Sequence, residues 1–397
     1  MAVDSKYPKS VKAGKPLLEQ LPPGWEQFSL DYYLELTPRK AKIEHHIEYD
    51  LVTVKRSRGG VTRREHLLGK NISVKSQFFL EEGDFLISKR QIVHGACGIV
   101  PEELAGSIVS NEYSVFRAKP NFFLPYLRYL SETLYFQQTC FHSSIGVHIE
   151  KMIFKLDSWF KWKFNIPPLL EQKKIAQILS TWDKAIATTE QLLANSQQQK
   201  KALMQQLLTG KKRFPGFEGE WKEVKIKEIF TLSSGDSKPH DTEKNLEPNK
   251  SIPVFGGNNI MGYSSKSNSN DTVILIGRVG EYCGVTRLVQ HECWITDNAL
   301  YTKSFDNNSD KQFITYLLQQ YDLSKLRNKG GQPLISQKPI YNLKIMIPQK
   351  TEQKRIASSL TYTDKEIKLL EKQLANLKQE KKALMQQLLT GKRRVEI

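Results

Sequence analysis

Ile166-Pro167-Pro168-Leu169-Leu170-Glu171-Gln172-Lys173-Lys174-Ile175 opens a stretch that closes on Leu207-Leu208-Thr209-Gly210-Lys211-Lys212-Arg213. The chain then writes the same stretch again, from Ile347-Pro348-Gln349-Lys350-Thr351-Glu352-Gln353-Lys354-Arg355-Ile356 to Leu388-Leu389-Thr390-Gly391-Lys392-Arg393-Arg394. The offset is 181 residues without a gap, 29 of 48 aligned positions are identical, and Lys200 to Lys211 recurs unchanged as Lys381 to Lys392. A repeat of this quality decides the architecture before any local reading. Pro167 and Pro348 stand where each copy begins, a position at which a helix tolerates proline. Glu171 and Glu352 fall in the early turns, where a carboxylate suits the helix dipole. Gly210 and Gly391 end each copy as left-handed caps followed by basic residues. Between these signals lie about 41 residues, or roughly 60 Å of helix.

The apolar pattern within each copy has a period of seven. In the second, one column is Ile356, Thr363, Leu370, Leu377 and Leu384, and the other is Leu360, Ile367, Leu374, Lys381 and Leu388. In the first, the columns are Ile175, Trp182, Thr189, Ser196, Leu203 and Leu179, Ile186, Leu193, Lys200, Leu207. A sustained heptad seam with polar faces predicts a coiled coil, and the obvious partner of one copy is the other. Two unrelated amphipathic helices would not need to share exposed Gln and Lys positions, as these do.

The rest of the composition bounds the function. A length of 397 residues suggests two or three domains, and 39% hydrophobic residues can bury a sizeable core. A net charge of +17, with a pI near 9.5, points to an anionic partner, most often nucleic acid. Cys97, Cys140, Cys283 and Cys293 form no CxxC pair and read as reduced core thiols. His45-His46 has no further ligand spacing and reads as surface rather than metal site. Residues 1–20 lack the apolar core of a signal peptide, and no run approaches the ~18 apolar residues of a membrane span. The expectation is a soluble, cytoplasmic protein with no membrane contact.

An arm over residues 1–24 leads to Trp25, which opens a first globular region over 25–165. The first repeated helix takes 166–213, a second globular region 214–346, and the second repeated helix 347–397. Both globular regions are mixed α and β. Gln77-Phe78-Phe79-Leu80, Phe85-Leu86-Ile87-Ser88, Gly106 to Ser110 and Ser114 to Ala118 read as strands, and Leu124 to Phe136 as helical. In the second region Thr272 to Ile276 and Glu292 to Thr296 read as strands and Gln312 to Gln320 as a helix. The regions correspond faintly at an offset of 186, where Cys97-Gly98-Ile99-Val100 answers Cys283-Gly284-Val285-Thr286 and Val109-Ser110-Asn111 answers Ile295-Thr296-Asp297. The whole chain is therefore a tandem duplication with conserved helices and diverged globular parts. That is the pattern expected when the helices share one task and each globular part recognises something different.

On these features the chain resembles the specificity subunits of type I restriction-modification enzymes. The resemblance covers essentially the full length. It rests on the alternation of variable and repeated regions, the Ile-Pro-x3-Glu-Gln-x2-Ile starts at Ile166–Ile175 and Ile347–Ile356, and the Leu-Leu-Thr-Gly ends at Leu207–Gly210 and Leu388–Gly391. Gly330-Gly331-Gln332-Pro333-Leu334-Ile335-Ser336 resembles the family's lead-in to the helix, while Ser144 to Glu150 departs from it. The resemblance implies an α+β fold: two target-recognition domains separated by two long helices that form an antiparallel coiled coil with pseudo-two-fold symmetry. It implies that each domain reads one half of a split double-stranded DNA site and that the coiled coil sets the spacer. It implies docking of two modification subunits, which bring S-adenosylmethionine and methylate adenine. Two restriction subunits would add ATP- and Mg-dependent translocation and cleavage, so this chain itself needs no cofactor. A related system that cuts on both sides of its site uses similar subunits.

Phosphates call for Arg and Lys, and base edges for Arg, Lys, Gln or Asn. In the first region the richest cluster is Lys55-Arg56-Ser57-Arg58-Gly59-Gly60-Val61-Thr62-Arg63-Arg64, whose glycines suggest a loop. The candidates there are Lys55, Arg56, Arg58, Arg63 and Arg64, joined by Lys89 and Arg90 after a strand. In the second region the candidates are Arg278, again after a strand, and Arg327, Lys329 and Gln332 in a Gly-flanked basic loop. No catalytic set accompanies them. The double prolines Pro22-Pro23 and Pro167-Pro168 lack the flanks of an amino-methyltransferase motif, and Gly69-Lys70 is followed by Asn71 rather than the Ser or Thr of a phosphate loop. A non-catalytic adaptor is expected. The alternatives are a self-standing architectural or regulatory DNA-binding protein, which would need no partner, and an enzyme that binds S-adenosylmethionine or modifies DNA alone.

Overall fold

A computed structural model describes residues 14–328, 330 and 332–397. The chain divides into two compact units: residues up to Thr188 together with Leu374–Ile397, and the continuous Thr189–Gln373. The repeats form two helices of 39 residues each, Leu169–Leu207 and Lys350–Leu388, neither interrupted by Gly or Pro. Both end on the predicted left-handed glycine, Gly210 at φ 70° and Gly391 at φ 71°. Beyond each glycine the backbone N–H of Lys212 or Arg393 returns to the carbonyl of Gln206 or Gln387, capping last-turn acceptors in the same way twice.

Each unit contains a stretch of both long helices. In the first unit Glu171 binds Arg394, Ile175 and Leu179 share a core with Leu388 and Leu389, and Asp183 binds Lys381. Numbers rise along one helix as they fall along the other, so the pair is antiparallel. The second unit repeats this with Glu352 on Arg213, Ile356 and Leu360 beside Leu207 and Leu208, and Asp364 on Lys200. Every seam position named from the heptad is buried or half-buried. The seam lysines find partners. Lys381 Nζ lies 2.6 Å from Asp183 and over the ring of Tyr129, whose hydroxyl donates to Asp183 at 2.9 Å. Lys200 Nζ lies 2.5 Å from Asp364 and over Tyr316, whose hydroxyl donates to Asp364 at 2.6 Å. Burial and the neighbouring carboxylate both push these tyrosines well above the usual phenol range.

The globular part of the first unit is built around two larger sheets, beside two two-stranded ones. A four-stranded antiparallel sheet has the order Leu34–Leu36, Tyr113–Ala118, Phe85–Ser88, Cys97–Ile99. A five-stranded sheet has the order Arg39–Ala41, Gln77–Phe79, Ile108–Ser110, Glu48–Val54, Val61–Leu68. Phe85–Ser88 is buried on both faces: Phe85 and Ile87 enter the large core with the helices, and Leu86 enters a second cluster with Val52, Val54 and Val109. That two-sided burial is why the strand reads as a continuous apolar run. The helical stretch breaks in two, Leu124–Leu130 and Leu134–His142, because Thr133 caps the second helix by accepting from the Phe136 N–H. Glu26–Ser29 pairs with Lys163–Ile166 where the domain joins the long helix.

The second unit has the same plan. Its four-stranded sheet runs Phe230–Ser234, Ala299–Phe305, Val273–Gly277, Thr286–Val289. Its smaller sheet runs Ile260–Ser264, Ile252–Phe255, Trp294–Ile295, the last two parallel like Glu48–Val54 and Ile108–Ser110. Lys222–Lys225 pairs with Lys344–Ile347, and Asp310 caps the helix Lys311–Tyr321. The ladders correct one alignment. Cys97 pairs with Ile87 and Thr286 with Ile276, so Cys97 answers Thr286 rather than Cys283, which lies in the preceding turn. All four cysteines are free and buried, and burial pushes the Cys97 and Cys293 thiols up to about 11.

Asp183→Leu strands Lys381 in a largely buried seam and is expected to cost about 1–3 kcal/mol, as for the loss of a charged hydrogen-bond partner. Adding Lys381→Met should recover most of that loss in a denaturant melt of the full chain, because a matched apolar pair replaces a matched ionic one.

Candidate nucleic-acid interface

Strands Glu48–Val54 and Val61–Leu68 form a hairpin, and its loop is shorter than the glycines suggest. Val61 resumes the ladder opposite Val54, so Arg63 and Arg64 lie on a strand and not in the loop. There Arg63 pairs with Asp50 at 2.8 Å and Arg64 with Glu65 at 3.3 Å. His66 sits between Asp50 and Glu48 at 2.6 and 3.1 Å, and those hydrogen bonds hold its pKa above the usual histidine value.

The loop proper, 55–60, carries Ser57 and Arg58 at φ 56° and 58°, an uncommon left-handed conformation for two consecutive side-chain-bearing residues. Two backbone bonds hold it: Ser57 N–H donates to His94 O at 2.7 Å and Arg58 N–H to Gly95 O at 3.0 Å. Gly98 makes the close approach possible, since a Cβ there would lie 3.3 Å from Gly60 Cα. The sequence-separated clusters thereby become one site. Arg56 donates to Gln91 Oε1 at 2.8 Å and pairs with Glu150 at 2.6 Å. Arg58 Nε donates to the Ser131 carbonyl at 2.9 Å and is half-buried. Lys89 Nζ donates to the Asn111 carbonyl at 2.7 Å, its own carbonyl accepts from Phe154 N–H at 2.8 Å, and Arg90 pairs with Glu112 at 2.6 Å. Lys55 is exposed and makes no side-chain bond among the described residues. Arg56 holds the Glu150 carboxyl below the usual range, and Glu112 raises Arg90. Arg56, Arg63, Arg64 and Arg90 are thus already matched to carboxylates on a solvent-facing rim, where the pairs are weak and exchangeable, while Arg58 and Lys89 are held by carbonyls.

In the second unit Arg278 follows Val273–Gly277 directly, and its Nη1 donates to Ser234 Oγ at 3.0 Å and to the Asp297 carbonyl at 3.4 Å. The basic loop closes on itself through Asn328 N–H to Leu334 O at 3.0 Å and Leu334 N–H to Asn328 Oδ1 at 2.8 Å. It also docks on the Arg278 segment, Ile335 N–H donating to Arg278 O at 2.9 Å and Gly280 N–H to Pro333 O at 2.9 Å. Arg278, Arg327 and Gln332 therefore belong to one rim, with Arg327 and Gln332 exposed; Lys329 lies outside the described residues. The hairpin that answers 55–60 by topology is 256–259, between Ile252–Phe255 and Ile260–Ser264. None of its residues stands out in the sequence, because Gly-Gly-Asn-Asn reads as an ordinary turn.

Among the described residues no group of three or more His, Cys, Asp and Glu could hold a metal ion, and no helix is long and apolar enough to cross a membrane. One titratable group underlies the first rim. His94 is buried at 1% exposure, with Nε2 3.1 Å from Glu150 and Arg56 close by. Burial, then Arg56, hold its pKa below 6.5. The unfolded chain therefore takes up the proton first, so the stability His94 supplies is complete above pH 6.5 and is lost as pH falls through the lower, folded value. The melting-temperature gap between wild type and His94→Gln, followed from pH 7.5 to 5, is expected to narrow on acidification.

The family model described as "Type I restriction modification DNA specificity domain" matches twice, over residues 22–195 and 218–379. The type I restriction enzyme MjaVIII specificity subunit of Methanocaldococcus jannaschii is 26% identical over 369 residues, covering 85% of this chain and 82% of that protein. The EcoprrI specificity subunit of Escherichia coli is 28% identical over 149 residues, 37% of each chain. Among solved structures, the S subunit from M. genitalium has a TM-score of 0.64 at 14% identity, with 96% and 100% coverage of this chain and that one. The subunit from Thermoanaerobacter tengcongensis has a TM-score of 0.51 at 20% identity, with 94% and 98% coverage. At such identities the structures establish the shared fold. With two matched domains over most of its length, the chain belongs to the type I restriction-modification DNA specificity subunits, non-catalytic DNA-recognition components that work with other subunits of their complex.

Proposed function

We propose that the two globular parts, residues 25–165 and 214–346, each read one half of a split DNA site, and that the long helices set the spacer. The helices also dock two modification subunits and, through them, two restriction subunits, which carry the S-adenosylmethionine, ATP and Mg chemistry. The carrying observation is the contrast within the duplication. Helix caps, Arg pairs on buried glutamates and seam Lys–Asp–Tyr sets are repeated, while the equivalent hairpin tips differ in length and charge: Lys-Arg-Ser-Arg-Gly-Gly at 55–60 against Gly-Gly-Asn-Asn at 256–259. A shared frame with unlike tips suits two different half-sites on one duplex. In the first domain Lys55, Arg56, Lys89 and Arg90 are assigned to DNA, with Arg63 and Arg64 toward phosphates and Arg58 anchoring the loop. In the second the assignment is Arg278, Arg327, Lys329 and Gln332.

Adenine methylation mapped by long-read sequencing, in cells expressing this chain with its modification subunits and in cells lacking it, tests the reading. A split motif methylated on both strands is expected only with the chain. Removing one heptad from each helix, residues 186–192 and 367–373, should shorten the spacer by about 10 Å, or about 3 base pairs, and leave both half-sites intact. Altered half-sites with an unchanged spacer would refute the ruler.

Glu150 competes with DNA phosphates for Arg56. Glu150→Gln should therefore raise affinity for non-specific duplex several-fold at low salt and steepen the salt dependence by about one phosphate contact. Fluorescence anisotropy at two salt concentrations reads both.

A further inference from the structure

In the second domain, on the DNA-reading role proposed above, the densest basic residues are not the best-built base reader. Arg287 lies on the strand Thr286–Val289 and reaches under the 256–259 hairpin tip. Its Nη1 donates to Asn259 Oδ1 at 3.0 Å and its Nη2 to Asn258 Oδ1 at 3.3 Å. Its Nε is buried without a partner among the described residues, and burial holds the guanidinium below its ordinary pKa. Arginine can only donate, so the atoms facing it are the amide oxygens. The remaining NH2 groups have no acceptor among the described residues; Asn259 is exposed and Asn258 half-buried. A purely structural pair would favour aspartate here, which would neutralise the arginine. Asparagine instead leaves the positive charge in place beneath two amide NH2 groups that have no protein acceptor among the described residues, an arrangement suited to an anionic, acceptor-bearing ligand.

Position supports the same conclusion. The tip abuts the strand end that carries Arg278: a Cβ on Gly257 would lie 3.0 Å from Asn298 O and 3.7 Å from Gly277 Cα, and Arg278 N–H donates to the same Asn298 O at 2.9 Å. It is also the topological counterpart of the Arg56 and Arg58 loop.

We propose that Asn258 and Asn259, held donor-outward by Arg287, read a base edge in the second half-site and select guanine. An asparagine free on both sides pairs with adenine, giving one hydrogen bond and taking another. With each oxygen turned onto Arg287 and one of its two lone pairs taken there, the pair offers a ligand chiefly its NH2 donors, and guanine presents two adjacent acceptors, O6 and N7, in the major groove. Cytosine presents a donor there and is rejected.

The test is methylation mapping with the full chain and its modification subunits, comparing wild type, Asn259→Ala and Asn259→Asp. Asn259→Asp keeps the bond to Arg287 but turns the outward donor into an acceptor. It is expected to move one position of the second half-site from guanine to cytosine, with the first half-site unchanged. Asn259→Ala is expected to relax that position by about tenfold or more. A second half-site identical to wild type in both variants overturns the assignment. If a variant directs no methylation, melting and DNA binding of the purified chain decide. Wild-type melting with specific binding lost and non-specific binding kept supports the assignment. Wild-type melting with unchanged specific binding overturns it, as does unfolding, which would make the amides structural. A wild-type chain that directs no split motif fails the broader reading instead, and shows this without any variant.

Discussion

Each globular domain is completed by the start of one long helix and the end of the other, and for the first domain that end comes from the far C-terminal part of the chain. In the first unit Trp25, Ile175 and Leu179 are buried with Leu388 and Leu389, and the carboxylate of Glu171, fully buried, accepts from Trp25 Nε1 at 3.1 Å and from Arg394 at 2.7 Å. Burying that charge without Arg394 would be costly, since an unpaired interior carboxylate has neither solvent nor counter-ion. Glu352 in the second unit is held the same way by Arg213, at 2.9 and 2.7 Å. The next residue fixes the domain to the helix start: Gln172 accepts from Phe123 N–H and donates to Pro167 O, while Gln353 accepts from Asp310 N–H and donates to Pro348 O. The Glu-Gln of the repeated motif is therefore a structural joint, one residue for the crossing helix and the other for the domain.

The polar interruptions of the heptad have a similar logic. A lysine in an apolar seam usually costs stability and gains register. Here Lys200 and Lys381 each meet an aspartate on the other helix and a tyrosine from the neighbouring domain, so one residue reports on helix register and domain placement together. A shift by one residue would leave both charges unmatched.

Much of this is legible in the sequence, and for identifiable reasons. The helices announce themselves because a repeat with prolines at its start and a glycine at its end leaves few alternatives. Strands such as Phe85–Ser88 are visible because both faces are buried. The rims are less legible. Arg56, Arg63 and Arg90 stand out as charges, but their pairing with Glu150, Asp50 and Glu112 joins residues 94, 13 and 22 positions apart, which composition does not reveal. The sequence pattern draws Arg63 and Arg64 into a loop, although Gly59-Gly60 marks its end and not its middle. Asn258 and Asn259 carry no signal, since only strand order shows that their turn answers the arginine loop of the first domain.

The division of the chain has a consequence for its synthesis. The second unit is continuous in sequence, whereas the first needs Leu388, Leu389 and Arg394, about 200 residues after Leu179. At about 5–20 residues per second, a ribosome takes about 10–40 s to cover that interval. During it the apolar stripe through Ile175 and Leu179 lacks its covering turn. The domain made first is thus the last to be completed, and its unfinished core is a natural target for chaperones while the second half emerges.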